Sequence, residues 1–197
     1  AIVVVDRRRD QLPEQAVVAV DALASQVRSF NQLVLDLLEI SRFDAGAAHM
    51  DLQTVDVAES VRAMCRELAP EANIEVRAED TVVQADPRRL RQVVANLLQN
   101  AALYAGGVTD VLVSDRARQL RIEFADRGPG VPEEERETIF GRFARGERSE
   151  EPGAPRGSGL GLALVSEHVS LHGGRVWVEE REGGGAVFIV EIPARQE

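Results

Sequence analysis

Between Ala16 and Leu37, apolar or small residues recur at Ala16, Val20, Leu23, Val27, Phe30, Val34 and Leu37. The steps alternate between four and three residues, so all seven fall in one stripe along a long helix, with the period of a coiled-coil or antiparallel-bundle seam. A single amphipathic helix lying on a globular core is the alternative. The unbroken alternation, with polar Gln26, Arg28 and Asn31 on the other side, favours a helical hairpin that dimerises. Leu12-Pro13 supplies a break from which this helix starts, and Asp44-Ala45-Gly46 supplies a stop. Residues 1–10 read as the last turns of a preceding helix. The chain opens at Ala1, inside that helix and without methionine, and is therefore read as part of something longer.

The pattern changes near residue 55. A helix is expected over 57–68, strands over 73–77 and 82–85, and a second helix over 87–104 opened by Asp86 as cap and Pro87 as first residue. Alternating segments at 108–114 and 119–125 read as an antiparallel hairpin. A short helix near 132–139, an aperiodic and mobile stretch over 145–156, a helix over 160–171 and strands over 175–180 and 186–192 complete the chain. The expected fold is α/β, an α+β sandwich of mixed sheet packed on helices, behind the remnant of a helical hairpin. The domain boundary is placed between residues 1–48 and 49–197.

Charge and cysteine content narrow the function. The chain has 33 acidic and 23 basic residues, a net charge of −10 and a pI near 4.9, which argues against a nucleic-acid partner. Its single cysteine, Cys65, excludes an internal disulfide and reads as a buried small hydrophobe. No apolar run is long enough for a membrane helix. All the basic residues are arginine, so any side-chain cation that meets a phosphate must be Arg. Trp177, between Val176 and Val178, is expected in the core, and the run Glu133-Glu134-Glu135 on the surface.

Three segments could carry chemistry. On the helix over 87–104, Leu90, Val93, Val94, Leu97, Leu98 and Ala101 form an apolar stripe, while Gln92, Asn96 and Asn100 recur on another face. Those amides are either solvated or hydrogen-bonded to something polar, and their oxygens suit Mg²⁺. Asp126-Arg127-Gly128-Pro129-Gly130 ends a strand with a carboxylate able to accept from an exocyclic amine, or forms an ordinary turn. Gly157-Ser158-Gly159-Leu160-Gly161-Leu162 runs into an apolar helix, an arrangement whose free amides and dipole attract phosphate. It lacks the Gly-Lys-Ser/Thr ending of a P-loop and the preceding strand of a dinucleotide fingerprint.

Taken together and in order, these segments resemble the catalytic part of two-component sensor histidine kinases, whose ATP-binding domain is similar to that of the gyrase, Hsp90 and MutL group. Residues 92–101 resemble the N box, 126–130 the first glycine box, 139–143 the F box, 157–162 the second glycine box and 183–188 a final glycine segment. Residues 37–46 resemble the end of the second dimerisation helix. The resemblance implies that Asn100, with Asn96, holds Mg²⁺ and the phosphates, and that Asp126 binds the adenine amino group in a pocket shaped by Gly128 and Gly130. It implies that Arg142 or Arg145 approaches the γ-phosphate, that the amides around Gly157, Ser158, Gly159, Leu160, Gly161 and Leu162 cradle the phosphates, and that Tyr104 lines the pocket or packs under the hairpin. Residues 145–156 become the lid.

The match departs at Leu103, where the family usually has a basic residue. The phosphoacceptor histidine is absent, since none of His49, His168 and His172 stands in a sequence like the acceptor box. The chain is therefore expected to bind ATP with Mg²⁺ without phosphorylating itself. Its parent is expected to dimerise through the hairpin, to phosphorylate a histidine, to pass the phosphoryl group to a response regulator receiver domain, and to be anchored in the plasma membrane with this part cytoplasmic. An anti-sigma-type serine kinase and a degenerate ATP-binding or dimerisation module are the competing readings.

Overall fold

A computed structural model describes residues 13–116, 118–144 and 157–194. Helix α1 (Glu14–Asp44) is followed by β1 (Gln53–Asp56), α2 (Val57–Leu68), β2 (Asn73–Val76), β3 (Val82–Ala85), α3 (Pro87–Ala105), β4 (Val108–Arg116), β5 (Gln119–Asp126), α4 (Gly161–Leu171), β6 (Arg175–Glu180) and β7 (Ala186–Pro193). The expected helix near 132–139 is two short 3₁₀ turns, Glu133–Glu135 and Thr138–Phe140. The expected mobile stretch and Arg145 lie outside the described residues, as does the helical end expected over residues 1–10.

Five strands form one sheet in the order β2-β4-β5-β7-β6, parallel between β2 and β4 and antiparallel elsewhere. A separate antiparallel pair joins β1 to β3. Helices α2, α3 and α4 cover one face of the large sheet, and the core between them is mostly aliphatic, with Val93, Leu97, Val111, Ile122 and Val190 buried beside the aromatic Phe124. Local chemistry explains the central helix. The Asp86 side chain accepts from the amides of Arg88 and Arg89, Pro87 fits the first turn, and Gly106 closes the other end in the left-handed conformation at φ 75°.

Strand β5 alternates buried and half-buried residues along its length, with Leu120, Ile122, Phe124 and Asp126 facing the helices. The same period corrects the expectation for Trp177. Val178 is buried on the inner side, so Trp177 lies on the outer face, between the guanidinium groups of Arg175 at 4.5 Å and Arg121 at 5.3 Å from its ring centroid. Cys65 is fully buried, and burial pushes its thiol pKa up, as expected for a structural residue.

Helix α1 carries two stripes. The heptad stripe is open, with Leu23 65% and Phe30 66% exposed. A different stripe docks on the sandwich: Ile40 joins Leu160 and Leu164 in a small apolar cluster flanked by Leu33 and Phe43. Polar contacts surround it. Arg89 donates to Glu39 Oε1 at 3.4 Å and to the His49 carbonyl at 2.9 Å, and its Nη1 lies 3.2 Å from His168 Nδ1.

Candidate functional site

Between α3, the inner end of β5, the start of α4 and the docked side of α1 lies a cavity of about 490 Å³. Asn96, Asn100 and Tyr104 reach it from α3 because they share a face one turn apart, off the apolar stripe. Asn96 is fixed by donating its Nδ2 to the Gly161 carbonyl at 3.1 Å, which leaves Oδ1 as its acceptor and ties α3 to the glycine-rich turn.

Asp126 enters from the opposite wall. It is in phase with the inward residues of β5 and only 4% exposed. Its Oδ1 accepts from the Gly128 amide at 2.8 Å and the Ala186 amide at 3.2 Å, so the carboxylate is oriented by backbone rather than by a cation. Among the described residues Oδ2 accepts no hydrogen bond, and Asp126 lines the cavity. Gly128 is required by a close approach, since a Cβ there would lie 2.8 Å from the Ala105 Cα. It therefore braces the pocket from behind and does not itself line it.

The third wall is the turn before α4. Gly159 has φ 72°, and a Cβ there would stand 3.0 Å from the Phe143 Cα, so the turn needs glycine on both counts. Gly157, Ser158, Gly159, Gly161 and Leu162 line the cavity. Among the described residues no side chain caps α4, so its first-turn amides keep the donor capacity and partial positive charge that attract anions. Leu160 differs from expectation: its side chain is fully buried against Ile40 and Leu164, and its amide donates to Ser158 Oγ at 3.2 Å.

Arg142 also differs. It does not line the cavity but forms a two-pronged ion pair with Asp44 at the end of α1, at 2.6 and 2.7 Å, and reaches Glu167 at 3.2 Å. The hydrogen bonds to Asp44 raise the guanidinium pKa and hold the Asp44 carboxyl below its ordinary range.

Two of the three histidines are held in structural roles. His168 is fully buried, and its pKa is pushed down to about 3 by burial and by Arg89. His172 accepts from the Asp86 amide at 3.0 Å and donates Nδ1–H to the His168 carbonyl at 2.7 Å, a structural role. His49 is an exposed residue in the connecting segment.

Sequence reasoning did not single out Gln32 and Asp36, which also line the cavity. The signal was present: Asp36 stands in step with Leu33, Ile40 and Phe43, a charge inside the docking stripe. Among the described residues the polar side chains facing the cavity are amides and carboxylates, with Tyr104 and Ser158, and no His or Cys lines it. Such a set suits a hard cation like Mg²⁺. Among the described residues no three His, Cys, Asp or Glu side chains are grouped to cage a metal.

A mixed sheet with helices on one face, a backbone-held carboxylate at the end of an inner strand and an uncapped helix N-terminus across the cavity from it define a nucleotide-binding sandwich fold. The profile of the histidine kinase-, DNA gyrase B- and HSP90-like ATPases matches residues 85–196, and the chain belongs to that family. Among curated relatives, the signal transduction histidine-protein kinase AfsQ2 of Streptomyces coelicolor is 38% identical over 178 residues, covering 89% of this chain and 32% of AfsQ2. The chain thus spans about a third of that relative. The crystal structure of full-length ShkA in complex with AMPPNP superposes with a TM-score of 0.74 at 31% identity, covering 94% of this chain and 40% of ShkA. Histidine kinase ThkA in complex with response regulator protein TrrA gives a TM-score of 0.68 at 25% identity, covering 97% of this chain and 55% of ThkA.

Proposed function

We propose that this chain is the ATP-binding core of a two-component sensor histidine kinase, whose parent transfers the γ-phosphoryl group of ATP to a histidine and then to an aspartate on a response regulator receiver domain. The observation that carries this reading is Asp126, held by the Gly128 and Ala186 amides in a cavity that also takes in the uncapped start of α4. A carboxylate so oriented accepts from the adenine amino group and leaves the phosphates for the far end. There the amides of the turn over 157–162 and the N-terminal dipole meet the phosphates. Asn100 and Asn96 offer oxygens to Mg²⁺, which, when bound, neutralises phosphate charge. Phosphoryl transfer is mainly a matter of such positioning and charge stabilisation.

Arg142 or Arg145 is assigned to the γ-phosphate. For Arg142 this requires leaving Asp44, so the docked arrangement is read as one that precedes transfer. Residues 1–48 are assigned to the dimerisation hairpin and 49–197 to the ATP-binding domain. The exposed Leu23, Val27 and Phe30 stripe is what a partner helix in a homodimer would cover. Among the described residues no helix is long and apolar enough to cross a membrane. The parent is assigned to the plasma membrane, with this part on the cytoplasmic side.

Calorimetric titration with an ATP analogue and Mg²⁺ tests the reading. Micromolar binding by the chain, lost in Asn100→Ala and Asp126→Asn, is the expected result. No binding by the unsubstituted chain refutes it and favours a degenerate module, for which Leu103 in the cavity wall is the supporting feature. Supplying an acceptor helix in trans separates a histidine kinase from a serine kinase by the residue labelled.

A further inference from the structure

The nucleotide cavity is closed on one side by helix α1, an element outside the ATP-binding sandwich, and the group α1 places there is a carboxylate. Asp36 is only 6% exposed, and its Oδ1 accepts from Gln32 Nε2 at 2.8 Å. Both side chains line the same cavity as Asn96, Asn100 and Gly159. Among the described residues Asp36 forms no ion pair, in contrast to Glu39 and Asp44 on the same helix, which meet Arg88, Arg89 and Arg142. Burial raises the Asp36 pKa, with the Gln32 hydrogen bond opposing it only in part.

A buried carboxylate facing a neutral amide is electrostatically unsatisfied. A bare triphosphate entering the cavity worsens that state by like-charge repulsion, whereas a divalent cation relieves it for both anions. We propose that Asp36 is an oxygen donor, direct or through water, to the divalent cation that accompanies the nucleotide, and that it makes triphosphate binding metal-dependent. This rests on the reading of the cavity as the nucleotide site. It adds that the helical arm supplies part of that site, so docking of α1 and binding of the metal-loaded nucleotide favour one another reciprocally.

The test is titration calorimetry of adenosine, ATP in EDTA and ATP with excess Mg²⁺, on the chain and on Asp36→Asn, which keeps the size of the side chain and its acceptor for Gln32. Removing Mg²⁺ is expected to weaken ATP binding by the chain by about tenfold or more, and this ratio to shrink by about tenfold in the variant, the scale of one close charge interaction. Adenosine affinity is expected to be equal in both, which also reports that the variant is folded. Asp36→Glu, which keeps the charge, is expected to retain the metal dependence. Adenosine binding with the same Mg²⁺ ratio in the chain and in Asp36→Asn overturns this inference alone. Failure of the unsubstituted chain to bind adenosine or ATP overturns the nucleotide reading and this inference with it.

Discussion

Acidification is expected to destabilise this protein through His168. Arginine only donates, so the 3.2 Å contact from Arg89 makes Nδ1 the acceptor and places the imidazole proton on Nε2. Nε2 has no hydrogen-bond partner among the described residues, with Glu39 Oε1 at 3.7 Å, and the ring stacks edge-on to Phe43 at 5.3 Å. The folded pKa of about 3 lies below the ordinary 6.5, so the unfolded chain takes up this proton first as pH falls. Stability contributed by the neutral ring is therefore present above pH 6.5 and is lost progressively as pH falls toward 3. Between pH 7 and pH 5 the linkage relation gives a loss of about 2 kcal/mol. With a urea slope of about 2 kcal/mol/M, the midpoint drops by about 1 M. His172, lowered by burial, adds in the same direction, and Asp36, raised by burial, opposes it at lower pH. Urea unfolding followed by the fluorescence of the single tryptophan, Trp177, measures the change. In His168→Gln most of the pH dependence should vanish. An equal midpoint shift between pH 7 and 5 in the chain and in His168→Gln would refute the assignment of a neutral, buried imidazole.

Gly128→Ala forces a Cβ into Ala105 at the end of α3, and urea melts are expected to show a loss of about 1–3 kcal/mol with weakened nucleotide binding; an unchanged midpoint would mean that the α3 end yields freely. Asp44→Asn removes the charge that holds Arg142, and with an acceptor helix in trans it is expected to raise the rate of phosphoryl transfer; a rate at or below that of the unsubstituted chain would show that this ion pair does not withhold Arg142.

Elements whose chemistry is local were legible. The Asp86-Pro87 start and Gly106 end of α3 are set by neighbouring residues, and both hairpin strands show their period of two directly. The position of Asp126 was legible for the same reason. Strand β1 was not, because Gln53–Asp56 is short and largely exposed, and it is a strand only by pairing with β3 about thirty residues away. Trp177 was misplaced because hydrophobic character was weighed above phase. Its neighbour Val178 fixes the inner face, and the outer face is made habitable for an aromatic ring by Arg121 and Arg175, one of which comes from another strand.

The contacts least legible in the sequence lie along α1, and they share a cause. The stripe with the clean period is the one that faces away from the sandwich, while a second stripe, Leu33, Asp36, Ile40 and Phe43, lies against it. A helix that must serve two surfaces shows the period of only the more apolar one. The other is built from mixed residues whose partners are remote: Leu160 and Leu164 for Ile40, Arg142 for Asp44, and Arg89 for Glu39. Leu160 stands within the glycine-rich turn itself. Displacing α1 therefore exposes Ile40, moves the support of that turn, frees Arg142 and withdraws Asp36 from the cavity in one step. The coupling proposed between the arm and the nucleotide site needs no wire through the core, because one helix face touches every part involved.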